Sequence, residues 1–363
     1  MIERRLWRNM DWGLLASAVL IGLIGVATIF SAAHRGPDPN LYLRQLAFLT
    51  VGTAGLVAVL LVDYRSLTDH GPLLYVGAVV VLAYMLLFGP RIAGTQRWLM
   101  IGPVQIQPSE FVKLIAALFI AKVFAESRAD RPGLAELIGP GFAVAVLVLL
   151  IAAEPDLGTA FCLVPPFITV AFLAGLRLRA LAWLTLIAVL VGGFGWQFML
   201  RDYQKARIYT FIDPSLDPTG SGYQKIQSEI AVGSGGLLGK GFQEGSQSQL
   251  GYLPARQTDF IFSVWAEEQG FLGVAAVLGL YFLLLWRCFE AAAVARDRAG
   301  AFLVAGIAAT LTFQVVYNVA MVAGLVPVKG LPLPLMSYGG SSLLSSLLGI
   351  GLILNVRMRR FAN

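Results

Sequence analysis

The sequence predicts an all-α fold: a polytopic membrane helical bundle of about ten transmembrane helices with one large extracytoplasmic loop. Three observations carry that expectation. Hydrophobic residues make up 57% of the 363-residue chain and charged ones only 13%, where a soluble domain carries roughly 25% charged residues. Mean hydropathy is +0.74. Apolar runs approaching the roughly 20 residues that cross a hydrocarbon layer recur along the whole chain. Too few charges remain to cover a water-facing surface, which excludes a soluble enzyme and a disordered chain. Cys162 and Cys288, the 2 cysteines, sit in apolar runs, so neither a disulfide framework nor a thiolate metal site is indicated.

The spans fall at 12–31, 42–62, 72–88, 108–125, 139–154, 157–175, 180–200, 260–287, 300–325 and 338–356. The first follows Arg4, Arg5 and Arg8 as a signal peptide would, but its apolar run is too long for an h-region, so it reads as an uncleaved helix. The fifth and sixth nearly touch. Pro155 in Glu154-Pro155-Asp156 forbids a continuous helix and predicts a tight hairpin or corner there. Residues 1–363 read as a single integral-membrane domain, with 201–258 as its extracytoplasmic loop. A loop of that length in a compact protein is usually functional. No internal repeat is present, which weighs against an inverted-repeat transporter.

Orientation follows from Lys and Arg. With an even number of spans both termini share a side, and of the 27 basic residues most fall on that side, among them Arg65, Lys122, Arg177, Arg287, Arg296 and Arg357. This predicts cytoplasmic termini. It also accounts for the net charge of +6 without a nucleic-acid partner.

A charge at the bilayer centre costs about 2.5–3.5 kcal/mol on insertion scales, so ionisable groups in or beside spans mark candidate chemistry. Four clusters stand out, and all map to the outward half. The first joins Gly94-Thr95-Gln96-Arg97-Trp98 to Gln107-Pro108-Ser109-Glu110-Phe111-Val112-Lys113. Pro108 suits a first helical turn, and Glu110 and Lys113 share a helix face. They could hold a cation ready for a phosphate, or simply form a first-turn acid favoured by the helix dipole and paired to a lysine. Arg97 with Trp98 could anchor at the interface or contact a lipid head group. The second is Glu154-Pro155-Asp156-Leu157-Gly158-Thr159, whose acids could line an outward cavity or cap the next helix. The third is Gln257-Thr258-Asp259-Phe260, then Glu267 and Glu268. Asp259 could cap the eighth span, or, ending a loop rich in Gly, Gln and Ser at the membrane edge, act as a general base toward a sugar hydroxyl. Glu267 and Glu268 lie deeper on different faces, where either could be buried and paired. The fourth runs from Pro327 through Lys329 and Pro334 to Ser337 and the Gly/Ser cluster at 339–342. Three prolines in eight residues preclude a regular helix, and the apolar character predicts a dip into the outer leaflet. Its small residues also suit close helix packing. The glycines from 235 to 241 faintly suggest a phosphate loop, but the Walker spacing is missing, so no nucleotide is expected.

Together these clusters resemble the RodA/FtsW (SEDS) family of cell-wall polymerases over nearly the whole chain. The most specific stretch is Gly330 to Ser341 (GLPLPLMSYGGS). Gln224 to Gly270 follows, with Gly233 to Gly241 (GSGGLLGKG) and Gln257 to Phe262 (QTDFIF). GTQRW, QPSEF and Gly245 to Leu250 (GSQSQL) look more like the RodA branch. Gln257 stands where the family often has His, and Ala255 where an acid is common. The resemblance implies a peptidoglycan glycosyltransferase acting on lipid II at the outer face of the bacterial cytoplasmic membrane, in elongation and rod shape. It implies as partners polyprenyl-pyrophosphate-linked glycan, a class B penicillin-binding protein and other elongation-complex membrane proteins. The family's key acid falls on Asp259, its intramembrane pair on Glu110 and Lys113, and its acid before Leu-Gly-Thr on Asp156. Asp202-Tyr-Gln-x-x-Arg207 matches at the base of the loop.

On this reading Asp259 takes the proton from the 4-hydroxyl of an acceptor sugar while that oxygen attacks the donor's anomeric carbon, and the pyrophosphate-lipid departs. Lys113 is the first choice to stabilise the departing phosphates, with Arg207 and Arg97 beside it. Lys329 and Ser337 complete the expected substrate-binding set. A divalent cation, Mg or Mn, could share that work, though no ligand cluster demands one. The rivals are a lipid II flippase or other transporter, which would spread charges through the membrane depth, and a non-catalytic scaffold for the penicillin-binding protein.

Overall fold

The computed structural model describes residues 9–36, 38–91, 95–102, 104–127, 133–177, a few positions between 179 and 197, and 202–361. Arg4, Arg5, Arg8, Gly94, Arg128, Arg131, Arg201 and most of the expected seventh span, 180–200, lie outside the described residues. The other nine spans coincide with helices.

In chain order these are α1 (Trp12–Ala33), α2 (Leu41–Leu61), a short α3 (Tyr64–Asp69), α4 (Gly71–Phe88), α5 (Pro108–Glu126), α6 (Leu134–Ala153), α7 (Leu157–Phe161) and α8 (Val164–Leu173). The long segment after residue 201 carries α9 (Asp202–Ile212), α10 (Ser221–Ser234) and α11 (Ser246–Gln249). The chain closes with α12 (Ile261–Ala293), α13 (Arg298–Val322) and α14 (Gly340–Met358). Between α4 and α5 lies an antiparallel hairpin the apolar pattern did not suggest, β1 (Leu99–Ile101) and β2 (Val104–Ile106), with Met100 opposite Gln105. The protein is an all-α, multi-pass membrane protein with one small hairpin among the described residues.

Local chemistry sets the helix ends. The carboxylates of Asp11, Asp156 and Asp297 accept from the backbone N–H of Leu14, Thr159 and Gly300, capping α1, α7 and α13. Pro108 occupies the first turn of α5, where its missing N–H is not needed. Pro155 separates α6 from α7, so the expected corner is present, and the sixth span is split into α7 and α8.

α13 and α14 form the centre: 72% and 89% of their apolar stretches are buried, against 22% for α4 and α12. α14 packs on α2, and α13 on α5, α8 and α12. Small residues permit the closest approaches; a Cβ on Gly52 would meet Leu347, and one on Gly351 would lie 3.1 Å from the Leu56 carbonyl.

The two ends differ. At the terminal end, where α1 begins and α14 ends, Arg357 pairs with Asp11 (2.9 Å) and with Glu290 of α12 (3.2 Å). Arg65 and Tyr64 both reach Asp297. Both termini therefore share one end, and the segment 202–260 lies at the other, called here the loop end.

α12 is interrupted at Gly270, whose φ of +61° is not helical. The chain from Gly235 to Gly241 fills the break. Gly236 and Leu237 carbonyls accept from Phe271 and Leu272, while Lys240 and Gly241 N–H groups donate to the carbonyls of Glu267 and Glu268. The glycines permit that contact: a Cβ on Gly239 would come within 2.1 Å of the Glu268 carbonyl, at a φ of +81°. Beneath, Glu267 is fully buried and accepts from Lys240 Nζ and the N–H groups of Gln247 and Ser248. Glu268 is buried against Ser31.

Gly239→Ala should therefore lower stability by about 2 kcal/mol or more, adding backbone strain to a clash with fixed main chain. A fall in the thermal unfolding midpoint of the detergent-solubilised protein checks this, with exposed Gly77→Ala, which meets nothing within 4 Å, as the control.

Candidate active site

At the loop end the proline-rich connection 327–338 cannot form a helix, so its polar backbone must find partners elsewhere. It finds them on three helices and on the stretch before α12. Tyr317 donates to the Pro327 carbonyl (2.9 Å), Tyr281 to Pro334 (2.6 Å) and Gln45 to Ser337 (3.0 Å). Ser337 Oγ accepts from Leu333 N–H and donates to the Thr258 carbonyl (2.6 Å), and Tyr338 N–H donates to Gln257. Asn318, fully buried on α13, donates through Nδ2 to both Leu331 (2.8 Å) and Asp259 (3.0 Å) carbonyls.

These bonds fix the main chain of Asp259 and leave its side chain free. The carboxylate does not cap α12; the cap position is Phe260 and no side chain bonds there. Among the described residues no hydrogen bond reaches that carboxylate. It faces exposed Gly330, where a Cβ would lie 3.4 Å from Oδ2. Burial raises its pKa to about 6; the charges of Arg97 and Arg207 oppose that rise and Asp156 adds to it.

Arg97, Asp156, Arg207 and Asp259 thus share one electrostatic field. Asp156 is buried, its Oδ1 capping α7 and its Oδ2 accepting from Gln107 Nε2 (2.6 Å). Gln107 N–H in turn donates to Ser341. The capping role weighed for Asp156 is realised alongside its place in the site. Glu154 beside it is buried with neither carboxylate oxygen hydrogen-bonded among the described residues. Lys329 stacks over the Phe161 ring at 4.2 Å, and burial, then the charge of Arg207, pulls its ammonium down to about 8. Arg97 lies over the Trp98 ring at 5.7 Å.

Glu110 and Lys113 lie deeper. Their 2.8 Å ion pair is almost wholly buried, and Ser345 donates to the same carboxylate oxygen. Both border a small cavity with Thr310, Gln314, Ser345 and Ser346. All eight expected site residues are therefore at the loop end, with Asp259, Arg97, Arg207 and Lys329 toward the surface and the ion pair behind them. Asn318 and Gln45, which no spacing singled out, hold the stretches together with Gln107; a polar amide within a long apolar helix was the available signal for the first two. Among the described residues no three His, Cys, Asp or Glu side chains converge as a metal set.

Residues 8–361 match the FtsW/RodA/SpoVE family, described as cell cycle proteins. The chain belongs to this family. It is 36% identical to peptidoglycan glycosyltransferase MrdB of Escherichia coli over 99% of this chain and 96% of that one. It is 37% identical to stage V sporulation protein E of Bacillus subtilis over 95% and 96%. Among solved structures it resembles a chain from work described as structural coordination of polymerization and crosslinking by a peptidoglycan synthase complex. There the TM-score is 0.84 and identity 37%, over 98% of this chain and 99% of that one. The similarity to MrdB and to the sporulation protein is nearly equal, so it fixes the family and not the branch.

Removing one partner of the buried pair should cost far more than removing both. Lys113→Ala should lose about 3–5 kcal/mol, read as a lowered unfolding midpoint, because it strands the Glu110 charge. The double variant Glu110→Gln, Lys113→Met should recover most of that loss.

Proposed function

We propose that this peptidoglycan glycosyltransferase lengthens glycan strands from lipid II at the outer face of the bacterial cytoplasmic membrane, with Asp259 as general base. The observation that carries the reading is a carboxylate with fixed main chain and no hydrogen-bond partner among the described residues, under the electrostatic influence of Arg97 and Arg207. The excess of Lys and Arg in the other set of loops supports placing this end outward, with cytoplasmic termini. Residues 1–363 then act as one membrane domain, with 201–258 as its extracytoplasmic segment.

The donor is a growing strand whose reducing end is linked through pyrophosphate to a polyprenyl lipid, and the acceptor is a lipid II sugar with a free 4-hydroxyl. Asp259 accepts the hydroxyl proton as that oxygen attacks the anomeric carbon. The carbon–oxygen bond to pyrophosphate breaks, the electron pair leaves with the phosphate, and an α linkage becomes β. The activated donor supplies the free energy, so no nucleotide takes part. Arg97 and Arg207, both within the field of Asp259 and neither in a salt bridge with a described carboxylate, are suited to the developing pyrophosphate charge. Lys329 adds a third cation at the rim. Lys113, neutralised by Glu110, is better suited to supporting the site from behind, with Asp156 and Ser337 holding its walls. No step is routed through a divalent cation.

The similarity to the RodA branch in GTQRW, QPSEF and GSQSQL favours elongation and rod shape, alongside other membrane proteins of that machinery. The crosslinking complex that contains the structural relative favours a class B penicillin-binding protein as partner. Reconstitution with lipid II, without and with that partner, separates the alternatives: polymer identifies the enzyme, protected label crossing the bilayer a transporter, and neither a scaffold.

Asp259→Asn should retain folding and lipid II binding and lose polymerisation, measured by the glycan ladder on a gel; long strands from the variant would end the assignment. Because the base works only when ionised, polymerisation should fall tenfold per pH unit below about pH 6 and level off above pH 7. Arg207→Gln removes a charge that holds the carboxyl down, so the acid limb of the rate profile should move to higher pH.

A further inference from the structure

We infer that the glycine-rich finger Gly235–Gly241 is immersed in the bilayer, with the Leu237 and Leu238 side chains among lipid acyl chains. The inference does not depend on the catalytic reading or on which end faces out.

The depth of the finger is set by its backbone bonds to a spanning helix. Phe271 N–H donates to the Gly236 carbonyl (2.9 Å) and Leu272 N–H to the Leu237 carbonyl (3.2 Å). Lys240 and Gly241 N–H groups donate to Glu267 and Glu268 (3.0 and 3.1 Å). The finger therefore sits level with Phe271. At the terminal end α12 leaves the hydrocarbon near exposed Trp286 and Arg287, where Arg287 meets Glu290 and an aromatic belt is expected. A layer of about 30 Å takes about 20 helical residues, so the opposite boundary falls near Glu267. Phe271, four residues further in, lies about 6 Å inside it at 1.5 Å per residue.

The exposure agrees with that depth. Leu238 is 74% exposed on the protein, Leu237 63%, Phe271 62% and Leu272 55%. This patch continues the lipid-facing side of α12 through Phe282 and Leu283, which are also exposed. In water it would be an unusually large apolar surface. Irregular backbone at membrane depth is tolerated where protein satisfies it, and the four bonds to α12 take up the carbonyls of Gly236 and Leu237 and the N–H groups of Lys240 and Gly241. Lys240 at the finger's base reaches Glu267 Oε1 (2.7 Å) at the boundary level, which keeps its charge out of the hydrocarbon. The long segment is thus not wholly aqueous: its middle re-enters the membrane and closes the break at Gly270 where water cannot compete for those bonds.

The test places a fluorophore on Leu238→Cys in the full chain, reconstituted in phosphatidylethanolamine–phosphatidylglycerol vesicles. Cys162 and Cys288 are fully buried, and labelled wild type gives the blank. Val80→Cys on the exposed face of α4 is the lipid reference and Ser215→Cys the water reference. An ion is excluded from hydrocarbon, so iodide should quench the Leu238 probe about tenfold less than the Ser215 probe. Doxyl-labelled phosphatidylcholine should quench it as it quenches the Val80 probe. Iodide quenching equal to that at Ser215 would place the finger in water and overturn the inference. A probe reached by neither quencher would show a protein cover, such as a second copy, and would overturn it equally.

Discussion

Unpaired peptide groups are barely tolerated in a membrane, and that constraint shapes everything at the loop end. Two segments here are not helical where helix would be the simple solution: the proline-rich connection 327–338 and the finger at 235–241. Each is satisfied by neighbours, the first by side chains of Tyr281, Tyr317, Asn318, Gln45 and Ser337, the second by the backbone of α12 on both sides of Gly270. The result is irregular chain held as firmly as helix. The Asp259 carboxylate on such chain keeps its place without its own oxygens being spent on structure.

The charges are layered accordingly. Glu110 and Lys113 neutralise one another in the interior, where a lone ion would be costly. Arg97, Arg207 and Lys329 sit nearer the surface, where no carboxylate among the described residues forms a salt bridge with them. Asp259 stands at the junction. Burial makes its proton harder to release than that of an ordinary aspartate, and the two arginines limit the penalty. That balance keeps it ionised at neutral pH while leaving it basic enough to accept a proton.

Much of this was legible in the sequence for physical reasons. Span positions follow from apolar length, the corner at Pro155 from proline geometry, and the Glu110–Lys113 pair from helical spacing. Glu267 and Glu268 are both buried, as their depth suggested, and Glu267 is paired with Lys240. Other features depend on contacts between distant stretches, which no local pattern encodes. The glycines at 235–241 carry no hint that their partner is a break in α12 some 30 residues on, and Asn318 looks like any amide in an apolar run until the carbonyls of Asp259 and Leu331 arrive beside it. The β1–β2 hairpin was missed because three-residue strands have no periodicity to read. Asp259 itself could not be told from a helix cap on spacing alone; only the geometry at Phe260 separates the two.

The cluster of Arg357, Asp11 and Glu290 fastens α1, α12 and α14 at the terminal end. Prising that end apart would strand the buried charges of Asp11 and Arg357, at a cost of several kcal/mol. A carrier that rocks open toward each side in turn would meet that cost on every cycle. The bundle is thus fastened at one end, while Arg97, Arg207 and Lys329, the cations near Asp259, gather at the other.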